Sequence, residues 1–245
     1  MLFFNLQEMK KEYRIWLFPI IIVAVLFISC NKKNDLLYID LSPWVKYGTL
    51  SDKDGNTYKT ILLGTKTWMV GNLSTTRYND GTSIPQVADP TSWSNLSTPA
   101  CCWQNNDPVR KVTYGVLYNW YAVNTGKLCP TGWHVPSDEE WTEIIDYQGG
   151  ENIAGGKLKE SGFKHWNAPN TEASNETHFW ALPGGDRLSG PDALFENLGK
   201  TGCWWTISIN EDLASYRLIY YNSNNIHKSF YPKKCGLSVR CVWNY

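Results

Sequence analysis

The chain carries no surplus of charge. Lysine and arginine together number 23, and so do aspartate and glutamate, for a formal net charge of +0 at pH 7. With no basic excess and no run of like charge, neither nucleic acid nor an acidic partner is indicated. Paired C-x-x-C spacing is missing, which removes the usual zinc framework, so no metal is expected. His134, His165, His178 and His227 are scattered, with no H-x-x-x-H or H-E-x-x-H partner. There is no G-x-S-x-G elbow and no glycine-rich phosphate loop, so no catalytic residue and no cofactor are assigned. Internal repeats and low-complexity blocks are also lacking.

What the chain does have is aromatic and turn-forming. Trp 13 and Tyr 14, beside many Gly, Asn and Thr, indicate a loop-rich fold with an aromatic core. The densest stretch is Leu128 to Trp141, LCPTGWHVPSDEEW. Pro130 and Gly132 place Cys129 at the edge of a tight turn. Ser137 is a good N-cap, and Glu140 stands at the capping-box spacing from it. Asp138, Glu139 and Glu140 put negative charge on the first turn, where the helix dipole favours it. Trp141, Ile144 and Ile145 supply an apolar face, and Gly149-Gly150 ends the helix. This is a structural hub rather than a catalytic signature. The adjacent carboxylates, including Glu143, are explained by capping and do not require a glycosidase pair.

Along the rest of the chain, Thr57 to Leu63 and Lys66 to Val70 read as a hairpin, with Trp68 and Met69 toward a core. The preceding DKDGN reads as a solvated turn, because the other ligands of a calcium loop are missing. Residues 79 to 112 read as a long irregular region. Gly115 to Val123 and Gly155 to Gly162 read as short helices. ALPGGDR, 181–187, is a turn built on two glycines. Candidate strands follow at Cys203 to Ile209, Ala214 to Tyr221, Ile226 to Phe230 and Gly236 to Val242. The fold class expected is α+β, with short helices and an antiparallel sheet that finishes the chain.

At the amino end, Lys10, Lys11 and Arg14 precede an apolar run, Trp16 to Ile28. Its length, about 13 residues, suits a signal-peptide core and falls short of a bilayer span. Met9 is a more usual start for such a signal than Met1. Ser29-Cys30 after that run resembles the lipobox of bacterial lipoproteins. That implies cleavage before Cys30, lipidation at Cys30 and a membrane partner through the lipid anchor. The expected address is the cell envelope, at the outer membrane, on its surface or periplasmic face. The organisation expected is a signal peptide at 1–29, a tether at 30–48 and one domain at 49–245. An even set of cysteines remains, at 101, 102, 129, 203, 235 and 241, which outside the cytoplasm favours disulfides. One expected pair is Cys129 with Cys241, tying the helix entrance to the last strand. Closing a loop of roughly 110 residues is worth about 4–5 kcal/mol in the chain-entropy treatment. A second is Cys203 with Cys235.

Several segments, in order, resemble one family. They are DGNTYKTILLGTKTWMVGNL (54–73), YNDGTSIP (78–85), YGVLYNWYAV (114–123), LCPTGWHVPSDEEW (128–141), GGKLKESG (155–162), ALPGGDR (181–187), WWTIS (204–208) and GLSVRCV (236–242). They are similar to the Fibrobacter succinogenes major paralogous (FISUMP) domain over residues 50 to 243. The resemblance implies an exported protein or lipoprotein of the Bacteroidota or Fibrobacterota, with no established activity. WWTIS and SVRC are in turn similar to the C-type-lectin-like fold of the formylglycine-generating, sulfatase-modifying proteins. That likeness implies a C-type-lectin-like domain, although fold alone does not fix function. The cysteine pair of the formylglycine-generating enzymes has no motif counterpart here, and neither do the E-P-N and W-N-D calcium motifs of sugar-binding lectins.

The reading that follows is a binding or adhesion protein with a glycan or envelope-protein partner. Its alternatives are a formylglycine-generating-like oxidase and a structural envelope component. Candidate ligand-binding surfaces are the loop bearing Trp93 and Trp103 and the turn bearing Asp186 and Arg187, since exposed aromatics stack on sugars.

Overall fold

The computed structural model describes residues 46–245. Cys30, the segment 1–29 and most of the segment 30–48 lie outside the described residues. None of the described helices is long and apolar enough to cross a membrane.

The expected hairpin forms from β2 (Thr57–Leu63) and β3 (Lys66–Val70), with Leu63 opposite Lys66 across Gly64-Thr65. Period-two burial drives it: Tyr58 and Thr60 face inward while Lys59 faces out. Upstream, β1 (Gly48–Ser51) pairs with β2, so this strand starts inside the segment expected to be tether. The last strand, β12 (Val242–Trp243), lies between β3 and β6 (Trp133–His134), giving a five-stranded sheet ordered β1-β2-β3-β12-β6. Beside that insertion Cys129 and Cys241 form a disulfide with Cα atoms 5.9 Å apart. A second, three-stranded antiparallel sheet is a meander of β9 (Thr201–Asn210), β10 (Leu213–Tyr220) and β11 (Ile226–Pro232), ordered β11-β10-β9.

The hub helix, α4 (Asp138–Tyr147), has the full capping box: Ser137 Oγ accepts from Glu140 N, and Glu140 Oε2 accepts from Ser137 N at 2.9 Å. Trp141, Ile144 and Ile145 are buried, and the helix packs on β9 and β10. Trp141 meets Trp68 at 5.0 Å and Trp204 at 5.9 Å between ring centroids. The core of the domain is therefore aromatic, with Trp68, Trp141, Trp166, Phe179 and Trp204 forming one cluster. Tyr118, Trp205, Tyr216 and the disulfide belong to another.

Several segments differ from the sequence reading. The helix expected at 155–162 is α5 (Glu151–Leu158), and Gly155 and Gly156 lie inside it. They are sites of close approach rather than breakers: a Cβ on Gly156 would stand 2.6 Å from Glu172 O, and one on Gly155 would strike the Asn225 backbone. The helix expected at 115–123 is only α3 (Trp120–Val123). Leu117–Tyr118 is instead β5, paired with β4 (Cys101–Cys102). Residues 79–112 are not irregular throughout, for they hold α1 (Pro90–Ser94) and the start of α2 (Pro108–Tyr114). Asp89 and Asp107 cap these helices, each followed by proline at the first helical position. The strand expected at 236–242 is regular only at its end. Before that it makes single bridges, Gly236 to Arg187, Leu237 to Tyr118 and Ser238 to Trp204. Asp186–Arg187 is β7, paired with β8 (Phe195–Glu196). The architecture is a loop-rich, mostly antiparallel α+β fold with few, short helices.

Candidate ligand-binding surfaces

The loop residues expected at the surface turn inward. Arg187 is 0% exposed. It donates through Nε to Ala193 O at 3.2 Å, Nη1 to Val87 O at 2.7 Å and Nη2 to Ala88 O at 2.9 Å. Its guanidinium lies 4.4 Å from the Trp93 ring centroid and 4.7 Å from that of Phe195. Trp93 is itself fully buried. The two candidates thus meet in the interior, where the arginine binds three carbonyls from two segments, 87–88 and Ala193. Asp186 is buried too, accepting from Asn197 Nδ2 at 2.9 Å and Tyr231 OH at 3.1 Å. Burial pushes its carboxyl up, and those two donors pull it partly back. Trp103 is half-buried against the core, with Lys111 Nζ 5.4 Å from its ring centroid. Trp93, Asp186 and Arg187 are buried and present no surface to a ligand: Arg187 satisfies backbone carbonyls, Asp186 takes two side-chain donors, and Trp93 packs under the guanidinium.

Lys159 and Arg240 repeat the device. Lys159 donates to Thr171 O at 2.8 Å, Tyr220 O at 3.4 Å and Ser223 O at 2.8 Å. Arg240 donates to Asn72 Oδ1 at 3.1 Å, Trp180 O at 2.7 Å and Phe179 O, and lies 4.0 Å from the Phe179 ring centroid.

The expected pair Cys203–Cys235 is not formed; both thiols are free and buried. Cys203 sits in β9 with its sulfur 3.5 Å from Thr201 Oγ1, Cys235 lies in the turn leaving β11, and β10 runs between those strands. Cys101 and Cys102 are free and buried as well, pointing into different clusters from adjacent positions of β4. Burial raises all four thiols, Cys101 and Cys102 to about 12 and Cys235 to about 11. Thiolate is the reactive form, so burial suppresses nucleophilic or redox chemistry at these sulfurs.

Asp138 and Glu140, at the start of α4, are engaged, while Glu139 is exposed. Asp138 pairs with Lys228 at 2.7 Å and accepts from Ser215 Oγ at 2.8 Å. Glu140 accepts from His134 Nε2 at 2.9 Å, and the other His134 nitrogen meets Asn244 Oδ1. The hydrogen bond to Glu140 raises His134.

Two further surfaces stand outside these expectations. The first is aromatic. On β12, Val242 faces in and Trp243 out. Trp243 is 41% exposed, and its ring packs edge-on against Trp133 at 5.4 Å. A Cβ on Gly132 would come within 2.9 Å of that ring, so Gly132 makes room for it. Tyr245 is 73% exposed, with its hydroxyl 2.8 Å from Thr67 Oγ1 and Lys66 Nζ over its ring at 5.7 Å. Leu62, opposite Thr67 in the hairpin, is also exposed. This is the outward side of the five-stranded sheet. The period-two rule would have found Trp243 from the sequence had the final strand been placed at Val242–Trp243 rather than ended at Val242.

The second is a polar groove of about 430 Å³, lined by Asn56, Tyr58, Asn72, Ser74, Lys111 and Thr113 among others. Tyr58 OH donates to Asp52 Oδ2 at 2.5 Å and accepts from Ser74 N at 2.9 Å. Burial, reinforced by Asp52, drives the Tyr58 phenol well above its ordinary range. No group of His, Cys, Asp and Glu among the described residues is arranged to hold a metal.

The described residues thus form a mostly antiparallel domain with buried cations at its loops and an aromatic sheet face. Its sequence matches the family described as Fibrobacter succinogenes major domain over residues 61–243. The chain belongs to that family. No curated protein and no solved structure matches it.

Proposed function

We propose that this is an envelope-tethered binding protein that engages polysaccharide through the outer face of its five-stranded sheet. The observation that carries the reading is Trp243: a large ring, half exposed, held by Trp133 and by the space over Gly132. A rigid exposed aromatic loses little entropy on binding and offers a flat apolar face to a sugar ring. Tyr245 and Leu62 extend the same face. The address proposed is the outer membrane, by a lipid on Cys30. The WWTIS and SVRC segments support a C-type-lectin-like relationship, in which binding is the common role. A cysteine-dependent oxidase gains no support, because the free thiols are buried and raised.

Depletion from solution by insoluble polysaccharides tests the reading. The detergent-solubilised full chain should be retained on at least one of cellulose, chitin, β-glucan or peptidoglycan. Trp243→Ala should lower that retention about tenfold or more, in line with the loss of a central aromatic contact. Equal retention of the variant, or no retention on any of them, would count against the proposal.

A further inference from the structure

The polar groove is chemically distinct from the aromatic face, and the two lie toward opposite ends of β2: Thr57 and Tyr58 line the groove, while Leu62 belongs to the face. Its volume of about 430 Å³ is within the range of small-ligand sites. The lining contains amides, hydroxyls, the apolar side chains of Val112 and Leu182 and one cation, Lys111, and no carboxylate. Its floor is prearranged. Asn72 spends every polar valence on the interior, accepting from Trp204 Nε1 at 2.9 Å and Arg240 Nε at 3.1 Å, and donating to Tyr114 O at 2.8 Å and Ser238 Oγ at 3.2 Å. Tyr58 is likewise fixed between Asp52 and Ser74. Asn56 is oriented by its Nδ2, which donates to Asp52 Oδ2 at 2.8 Å, and this leaves its Oδ1 as an acceptor.

The walls are different. Among the described residues no side-chain hydrogen bond takes up Ser74 Oγ or Thr113 Oγ1, and no ion pair takes up Lys111. Lys111 sits in α2 with its ammonium steadied over the Trp103 ring. Asp54 feels that charge, but its own carboxylate is engaged by Thr76 N at 2.6 Å and Arg77 Nε at 3.2 Å. A fixed neutral floor, hydroxyls with open valences and one ammonium held over an aromatic ring but in no ion pair together describe the complement of a particular ligand.

We infer that this groove binds an anionic saccharide, a sugar unit bearing one carboxylate or one sulfate ester. The hydroxyls of Ser74 and Thr113 and the Asn56 Oδ1 meet sugar hydroxyls, and Lys111 meets the anionic group. Lysine acts as a point charge, so either oxyanion satisfies it. The inference stands apart from the aromatic face and holds or fails independently of it.

Isothermal titration of the detergent-solubilised full chain tests it, with oligogalacturonate, its methyl ester, and a sulfated galactan oligosaccharide. At least one of the two anionic oligosaccharides should bind, more weakly as salt rises. If oligogalacturonate is the one, esterification should weaken it about 10–100-fold, as expected for loss of a charged hydrogen bond. Lys111→Met should weaken the anionic ligand to a similar degree, and Ser74→Ala by roughly 3–10-fold. Lys164→Met removes an equal charge from an exposed position outside the groove and should leave the affinity unchanged. Binding of oligogalacturonate alone or of the sulfated galactan alone supports the inference and identifies the anion. Failure of both to bind, equal binding of acid and ester, or undiminished binding by Lys111→Met overturns it.

Discussion

Arg240 is held by Asn72 Oδ1 and the carbonyls of Phe179 and Trp180, and no carboxylate among the described residues pairs with it. Its charge is balanced by oriented carbonyl dipoles and by the faces of Phe179 and Trp204. Removing the guanidinium strands acceptors in a dry interior, each at about 1–3 kcal/mol. Arg240→Met should therefore lower unfolding free energy by roughly 3–5 kcal/mol in urea titrations. Lys159 gives the pH-dependent counterpart. Burial lowers it from 10.5 to about 8. A depressed lysine contributes stability that is fully present above the unfolded value and is lost as pH falls through the folded one. From pH 8 toward 10, the wild type should thus gain stability relative to Lys159→Met, read as the difference in urea midpoints. A difference that does not change with pH would show that Lys159 stays charged. None of these cations stood out in the sequence, since a lone Lys or Arg in a loop gives no sign of which carbonyls the chain will fold around it. The glycine-rich turn before Arg187 suggests the surface, yet the fold closes carbonyls around its guanidinium.

At the scale of elements, α4 was legible because its signals are local. Ser137, Glu140 and the spacing of Trp141, Ile144 and Ile145 all act within one helix. Ser137→Ala should cost about 1 kcal/mol. Glu140→Gln should also remove most of the pH dependence that His134 brings. His134 is raised by Glu140, so its contribution is complete below about 6.5 and fades as pH climbs through the higher folded value. In Glu140→Gln, stability between pH 6 and 8 should be flatter than in the wild type. The opposite case is α5. The sequence reading begins that helix at Gly155, whereas Gly155 and Gly156 lie inside α5, where the Asn225 and Glu172 backbones press on it. Gly156→Ala ought to gain about 1 kcal/mol of helix propensity and should instead destabilise, as thermal denaturation would show. The Asp-Pro pairs at 89–90 and 107–108 were readable start signals within what looked like a featureless loop. Their helices are so short that hydrophobic periodicity never develops.

For the whole molecule, the carboxy-terminal segment is the closure. It bridges Arg187, Tyr118 and Trp204 in turn, then enters the first sheet between β3 and β6. The Cys129–Cys241 bond secures that entry across a sequence separation of 112. Replacing both cysteines with alanine should cost about 4–5 kcal/mol if the unfolded chain gains the full loop entropy. The α+β class and this bond were accessible from strand patterns and cysteine placement. The ligand surfaces were not, because the groove gathers Asn56, Ser74, Lys111 and Thr113 from separate segments that only the fold brings together. The aromatic face is hidden for a similar reason, since the strand pattern ends at Val242 and leaves Trp243 outside it. Hydroxyl-radical footprinting of the full chain, with and without the polysaccharide fragment that retains it, tests whether the outer face of the five-stranded sheet is the binding surface. Labelling of Trp243 and Tyr245 should be strong in the free protein and fall on binding, while Trp93 and Trp141 stay silent throughout. Labelling of Trp243 and Tyr245 unchanged by ligand, or Trp93 labelled as readily as Trp243, would contradict the account.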